Sequence, residues 1–490
     1  MNTLKAFTRL VSISGILFFC SMSFAQAESL PRMYTTYAYQ GSWEDIGRQT
    51  ALHFRDTIIT TGFVFNNFIG IGADEARDYY EAVKHLIPAE IIEQMQGIAL
   101  GLNEYWSIPY DIAWAWTLIA NLGFDIMNLP ELEEETGGCT AFALHSEDGT
   151  FLCHNTDNME ANLDMGSLIH YLPDNGDNSF LSFFSPAFVG AALAINAQGL
   201  VLVYNVGGRN KNPAAGLPVL LKTRQVMAEC DNLTQAVDSF TAILDAGGTY
   251  GYSTANFLIL DFKDASMARL QVSSDDIKVT YGQELKEGVT YIAFTNEFDD
   301  DFSPRDLEGS DNDSSSVLRY RRLVEILPEF EKYDIETCWE ILSDSSDGQP
   351  TNDTICRRGE TYITTLTNIF TDTTAYYSVG PPCEYLPEYD DPMAVDLEQM
   401  VKPSIVGTVT AMDRPLGQAK VLLKSISGGG ISLKTYSDED GTFVFNNLES
   451  CSYRIQVKKF LHVPKRVFVD YQKGEKLTVD INLSLFNITR

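Results

Sequence analysis

The chain has 490 residues, with 35 Lys+Arg against 67 Asp+Glu and a formal net charge of −32 at pH 7. Phosphate groups are attracted by Lys and Arg, so an acidic excess of this size argues against nucleic acid, and against an anionic membrane, as partner of the molecule as a whole. The length is enough for two or three domains and a large core.

The chain begins with Lys5 and Arg9, continues through the apolar run 10–24 and reaches Ala25-Gln26-Ala27. A basic start, a short apolar run and a small-x-small site together read as a cleaved secretory signal over residues 1–27. The run is short for a bilayer span, and no later stretch reaches about 18 uncharged apolar residues. The expected location is secreted or periplasmic, without an integral membrane segment. Cleavage leaves 33 basic and 67 acidic side chains, a net of −34. Residues 403–490 hold 12 Lys+Arg and 8 Asp+Glu, so the acidity lies in the remainder. Seven cysteines survive, an odd number, so at least one is a free thiol or bridges another chain. Their irregular spacing, without CxxC, indicates neither a disulfide scaffold nor a zinc site.

Residues 34–135 read mainly as helix, with apolar positions at helical spacing in "EDIGRQTALHFRDTIITTGFVFNNFI" and "AEIIEQMQGIALGLNEY". At Cys139 the texture changes to short β-rich runs ("CTAFALHS", "GTFLCHNT", "SLIHYLP", "GAALAINAQGLVLVYNV") separated by turn residues. Helices follow over "LPVLLKTRQVMAEC" and "LTQAVDSFTAILDA", then strands ("ANFLILDF", "MARLQVS", "DIKVTY", "TYIAFTN"), then the helical "SSSVLRYRRLVEILPEF" and "IETCWEILSD". Two sheets with helical layers, an α+β sandwich, satisfy this order. The acidic, proline-flanked "PEYDDPMAVDLEQMVKP" marks a boundary near residue 402, and about seven short alternating strands follow, as in a small β-sandwich. The series "GTV", "AKVLL", "SDEDGTFVF" and "YRIQV" in this last segment resembles the carboxypeptidase regulatory-like domain, which implies a non-catalytic accessory module.

Common hydrolase templates are absent. The six histidines form no HExxH or HxH pair, and "GYSTA" around Ser253 is not G-x-S-x-G. A papain-type Cys-His pair would have to recruit His145, His154 or His170. One candidate needs no histidine. Cut before Cys139, the chain would carry its new α-amino group, with a free pKa of about 8, on the residue that bears the thiol. A single residue then supplies nucleophile and base. Gly138, lacking Cβ, suits the strained backbone that such a cut requires. The competing reading is a small buried cysteine at the start of a strand.

The fragments "GSWEDIGRQTA", "MQGIALGLNEY", "GCTAFAL", "DGTFLCHNTDN", "AINAQGLVLVYNVGG", "GLPVLLKTRQVM", "YSTANFLILD", "AFTNEF", "SSSVLRYRRL", "EILSD", "TICRR" and "GPPCEY" follow one another over about residues 38–390. In that order they resemble the acyl-CoA:6-aminopenicillanate acyltransferase family, also called peptidase family C45, of N-terminal-nucleophile (Ntn) hydrolases. The resemblance implies a four-layer αββα sandwich. It also implies autocatalytic cleavage between Gly138 and Cys139, with residues 28–138 as a helical leading segment, 139–402 as the catalytic domain and 403–490 as the accessory sandwich. Within that pattern Cys139 is the nucleophile and carries a thioester. Asp157, eighteen residues on, orients the amine, and Asn256 donates to the developing oxyanion. Asn155, Asn205 and Arg357 are supporting or substrate-binding candidates; Asn155 also reads as a turn residue and Asn205 as a strand-end cap. The pattern is broken at Glu297 and Ser345, where the family often has histidine. No cofactor and no metal are implied. The expected partner is a small amide or acyl substrate, cleaved by an exported amidohydrolase or acyltransferase. A phospholipase-B-like lipid hydrolase on the same fold is a second expectation. A non-catalytic protein that contacts glycan or envelope through the C-terminal sandwich is a third.

Overall fold

The computed structural model describes residues 36–485 apart from 65–70, 127–137, 303–313, 385–392, 398–404 and shorter interruptions. The expected signal segment, 1–27, lies outside the described residues.

The described chain opens with β1 (Thr36–Gly41) and four helices, α1 (Trp43–Val64), α2 (Ala73–Val83), α3 (Ala89–Trp106) and α4 (Tyr110–Ile126). Ser42 starts α1 by accepting from the backbone N–H of Asp45 at 3.2 Å, a side-chain cap on an otherwise orphaned donor. Helices α1 and α3 cross at glycines. A Cβ on Gly47 would lie 2.1 Å from the Gln94 carbonyl oxygen, and one on Gly97 equally close to that of Glu44, so only glycine permits this approach.

Strands β2 (Gly138–Ser146), β3 (Gly149–Met159), β4 (Leu168–Pro173), β5 (Phe180–Ser182), β6 (Leu193–Asn196) and β7 (Leu200–Arg209) come next, then helices α5 (Val219–Glu229) and α6 (Leu233–Asp245). Strands β8 (Ser253–Asp261), β9 (Ser266–Val272), β10 (Ile277–Tyr281), β11 (Gln283–Lys286) and β12 (Val289–Phe294) precede α7 (Ser315–Ile326) and α8 (Ile335–Leu342). β13 (Tyr362–Phe370), β14 (Thr374–Val379) and β15 (Met393–Asp396) complete this part. An eight-stranded sheet runs β1-β4-β5-β6-β7-β8-β9-β10, and a seven-stranded sheet runs β11-β12-β2-β3-β13-β14-β15.

Three apolar cores stack through this body. The first joins α1–α6 to one face of the eight-stranded sheet, with Trp43, Met95, Leu118 and Phe240 against Leu200, Leu202 and Phe257. The second lies between the sheets, with Ala141, Ala143 and Leu152 against Val201, Val203, Leu258 and Leu260. The third joins Phe142, Leu144, Phe151 and Cys153 to Leu323, Ile326, Cys338 and Ile341 of α7 and α8. The order is helix, sheet, sheet, helix: a four-layer αββα sandwich. It explains the unbroken apolar run in β2, whose odd positions feed one core and whose even positions feed the next. The leading helices are built into the first core, and β1 pairs in parallel with β4.

A fourth core, from Ile405 to Leu483, belongs to the C-terminal strands β16 (Ile405–Ala411), β17 (Arg414–Pro415), β18 (Lys420–Ser425), β19 (Ser432–Tyr436), β20 (Thr442–Phe445), β21 (Cys451–Lys458), β22 (Lys465–Tyr471) and β23 (Leu477–Leu483). One sheet holds β17-β16-β20 with β23 on β16, the other β19-β18-β21-β22. This sandwich meets the body at Tyr436, whose ring lies 5.1 Å from that of His53 on α1. Cys356 and Cys383 form a disulfide, and Cys139, Cys153, Cys230 and Cys338 are buried cysteines outside it.

Candidate active site at the start of β2

β2 and β3 pair antiparallel, with Gly138 opposite Asp157 and Cys139 opposite Thr156. Strand alternation turns Cys139 toward the space between the sheets, as it does Ala141 and Ala143. It turns Gly138 the other way, toward the α7–α8 layer, as it does Phe142. Asp157, in step with Cys153 on β3, shares that helix-side face. "NTDN" is therefore strand, since β3 runs to Met159.

The backbone around the Gly138–Cys139 bond is held from several directions. The N–H of Cys139 donates to Asn296 Oδ1 at 2.8 Å, while Asn296 Nδ2 donates to the Val206 carbonyl at 2.8 Å. Arg319 Nη1 donates to the Cys139 carbonyl at 2.7 Å and to Thr140 Oγ1 at 2.8 Å, and Arg319 Nη2 reaches Asn296 Oδ1 at 3.1 Å. Gly138 leaves no room for a side chain: a Cβ there would lie 2.6 Å from Arg319 Nη2 and 2.6 Å from Arg357 Nη1. Beneath this pair sits the Asp157 carboxylate. Its Oδ1 accepts from Thr364 Oγ1 at 2.8 Å, and its Oδ2 stands 3.7 Å from a guanidinium nitrogen of each arginine. All three charged groups are buried.

Burial sets the titration of the site. It pushes the Cys139 thiol up to about 12, and the Asp157 charge adds to it, while the Asp157 backbone N–H and the two arginines pull the other way. Burial also raises the Asp157 carboxyl, opposed by Arg319, Arg357 and Thr364, and lowers Arg319 to about 10. The thiol is therefore protonated at neutral pH.

Asn205 on β7 and Asn256 on β8 are register partners and face the inter-sheet space, in step with Val203 and Leu258. Asn205 lies inside β7, not at its end. It donates to the Thr295 carbonyl at 2.9 Å and meets His154 Nε2 at 3.1 Å. Asn256 is oriented by Arg269, whose Nη2 donates to its Oδ1 at 3.0 Å; its Nδ2 spans 3.4 and 3.3 Å to the carbonyls of Asn296 and Glu297. Asn155 is bonded into the scaffold, with Nδ2 to the carbonyls of Leu342 and Ile355 and Oδ1 accepting from Thr367 Oγ1. Exposed His145 bonds Thr150, and burial depresses His154 and His170 to about 4. Among the described residues no group of three or more His, Cys, Asp or Glu gathers to hold a metal.

Two residues of this cluster escaped the reading of the sequence. Arg319 sits on the apolar face of α7 with Ser316, Leu323 and Ile326. An arginine at a core position of an amphipathic helix was the available signal. Asn296 follows β12 and carried none beyond its place in "TNEF".

The family model of acyl-coenzyme A:6-aminopenicillanic acid acyl-transferase matches residues 144–383, a stretch that begins just past Cys139. The carboxypeptidase regulatory-like domain model matches residues 404–484. No curated protein matches the chain in sequence. Among solved structures, a mutant conjugated bile acid hydrolase from Clostridium perfringens aligns at 15% identity and a TM-score of 0.37, over 53% of this chain and 92% of that one. A second variant of the same hydrolase aligns at 15% identity and 0.35, over 53% and 93%. The group B streptococcus pilus 2b backbone protein aligns at 13% identity and 0.17, over 24% and 51%.

Proposed function

From a chain that carries an acyl-coenzyme A:6-aminopenicillanic acid acyl-transferase region and a carboxypeptidase regulatory-like domain, we propose an exported, self-processing cysteine amidohydrolase or acyltransferase with Cys139 as nucleophile. The observation that carries this reading is the treatment of one peptide bond. The Gly138–Cys139 junction lies where helical sequence gives way to sheet, its N–H and the following carbonyl are each gripped by a side chain, and two buried guanidiniums crowd the glycine.

In processing, Cys139 Sγ attacks the Gly138 carbonyl carbon and the peptide nitrogen leaves, giving a thioester and a free Cys139 α-amine. Water then hydrolyses the thioester and releases residues 28–138 as a separate chain, retained by β1 and the first core. In turnover the α-amine takes the thiol proton as Sγ attacks a substrate amide carbon. Asn296 Oδ1, which accepts from the Cys139 N–H, is placed to accept from the amine and orient it. Asp157 acts through Arg319 and Arg357, fixing one guanidinium against the Cys139 carbonyl and the other against Gly138. Asn256, with Asn205 beside it, faces the space in which the oxyanion would form; a preorganised donor of this kind contributes about 3–4 kcal/mol. The leaving amine departs with the proton, and water or a second amine resolves the acyl-enzyme. Hydrolysis is favoured for an exported protein, which meets little acyl-CoA.

Intact mass of the purified protein tests the proposal. Two chains, 28–138 and 139–490, are expected, with a single chain for Cys139→Ala. A full-length mass with an unreactive Cys139 overturns it. A screen of N-acyl amino acids, β-lactams, bile-salt conjugates and phospholipids then separates amide from lipid hydrolysis.

A further inference from the structure

The acidity of the chain is not shared by the sheet β19-β18-β21-β22. Its inner face is apolar, with Val421, Leu423, Tyr453, Ile455, Val457 and Tyr471 buried in the fourth core. Strand alternation therefore places Lys420 and Lys424, Lys434, Arg454 and Lys458, and Arg466 on the outer face. Asp470 is the acidic side chain that shares this face among the described residues of the four strands. Across residues 450–469 the sequence has five cations and no acid.

The register makes this arrangement self-repulsive. Lys420 is directly opposite Lys458, and Lys424 directly opposite Arg454. Like charges facing each other across neighbouring strands destabilise a sheet, so these pairs do not serve the sandwich by itself. An anion laid across the face relieves them. Large apolar groups are exposed among the cations. Phe468, opposite Arg454, is 66% exposed, and Phe460, at the end of the β21–β22 hairpin, is 84% exposed. A soluble polyanion has no use for these rings, whereas a headgroup layer accepts both the rings and the charges.

This face meets the body at its β19 edge, where Tyr436, the register partner of Lys420, packs on His53 of α1 with Lys420 and Lys434 near the contact; β22 is the opposite edge. Three strand spacings of about 4.8 Å separate them, more than the Debye length of about 8 Å at physiological salt. The net charge of the chain therefore does not by itself govern what the far edge meets.

We propose that the part of this outer face away from β19, carrying Lys424, Arg454, Lys458 and Arg466, docks the protein with the β21–β22 hairpin on an anionic lipid surface. The contact is reversible: cations over headgroups, with Phe460 and Phe468 at the acyl boundary. It is independent of the chemistry at Cys139.

Co-sedimentation of the full-length protein with vesicles of phosphatidylglycerol and phosphatidylcholine in equal parts, against pure phosphatidylcholine, tests this. Binding to the mixed vesicles alone is expected, and it weakens as salt rises. Lys424→Glu with Lys458→Glu lowers the affinity at least about tenfold, and Phe460→Ser with Phe468→Ser also lowers it. The charge variant replaces two like-charge pairs by opposite-charge pairs, so an unchanged or raised Tm excludes unfolding as the cause. Wild-type protein that stays in solution, or charge variants that sediment like wild type, would overturn the proposal. So would serine variants with unchanged affinity, since the face would then be a site for soluble polyanions.

Discussion

Asn296 Oδ1 accepts a hydrogen bond from the backbone N–H of Cys139 at 2.8 Å, across 157 residues of sequence. The same oxygen receives Arg319 Nη2 at 3.1 Å, and the Asn296 amide is fixed in turn by the Val206 carbonyl. One side chain thus touches the nitrogen that the proposed cleavage would convert from an amide to an amine.

Asn296→Leu removes the acceptor while keeping the volume. A hydrogen bond to a charged group contributes about 1.5–3 kcal/mol, so the expected effect on turnover is a loss of roughly 10- to 100-fold. Time courses of the two-chain mass and of amide cleavage read it. A variant that processes and turns over like wild type would remove Asn296 from the mechanism.

Gly138→Ala places a methyl group 2.6 Å from two guanidinium nitrogens whose carboxylate partner is buried beneath them. Overpacking of this kind costs about 1–3 kcal/mol. The arginines must move, drawing Arg319 off the Cys139 carbonyl, so processing should stall while the folded chain persists at a lowered Tm. Mass spectrometry and thermal denaturation distinguish this outcome from simple unfolding.

Asp157→Asn leaves Arg319 and Arg357 buried without their counter-charge. Breaking a buried ion pair from one side destabilises by about 3–5 kcal/mol. The loss should exceed that of Asp157→Asn combined with Arg357→Met, because the double variant removes one of the stranded charges. Additive losses in this double-mutant cycle would show that the 3.7 Å approaches carry no coupling.

His154 and His170 are held neutral, with values depressed by burial from 6.5 to about 4. The unfolded chain binds these protons first, so the stability they allow is intact above about pH 6.5 and falls as pH drops toward 4, by about 3 kcal/mol for each histidine. Denaturant midpoints should therefore decline across this window, and less steeply in His154→Gln. A midpoint independent of pH between 4 and 6.5 would contradict the burial argument.

Much of the fold was legible because it rests on local periodicity. The helical spacing of residues 34–135, the change to strands at Cys139 and the alternation of the C-terminal segment each follow from which positions avoid water. Cys139, Asp157, Asn205 and Asn256 were singled out, and the sandwich sets them around one end of β2. Asn155 was singled out too, and its amide turns out to bond the carbonyls of Leu342 and Ile355. β1 was hidden in a helical region, since six residues that pair in parallel with β4 have no periodicity of their own.

The sequence by itself carried the order of helices and strands, the α+β class and the C-terminal β-sandwich, because burial patterns and turn residues are written locally; the four-layer arrangement was what the family resemblance of its ordered motifs implied. Only the tertiary structure decided that Arg319 and Asn296 grip the Cys139 backbone, that Asp157 lies on the opposite face of the sheet from the thiol, and that cations oppose cations across β18 and β21. These facts depend on strand register and on contacts between residues more than a hundred positions apart, or across sheet faces, and no local pattern records which partners the packing of the layers will bring together.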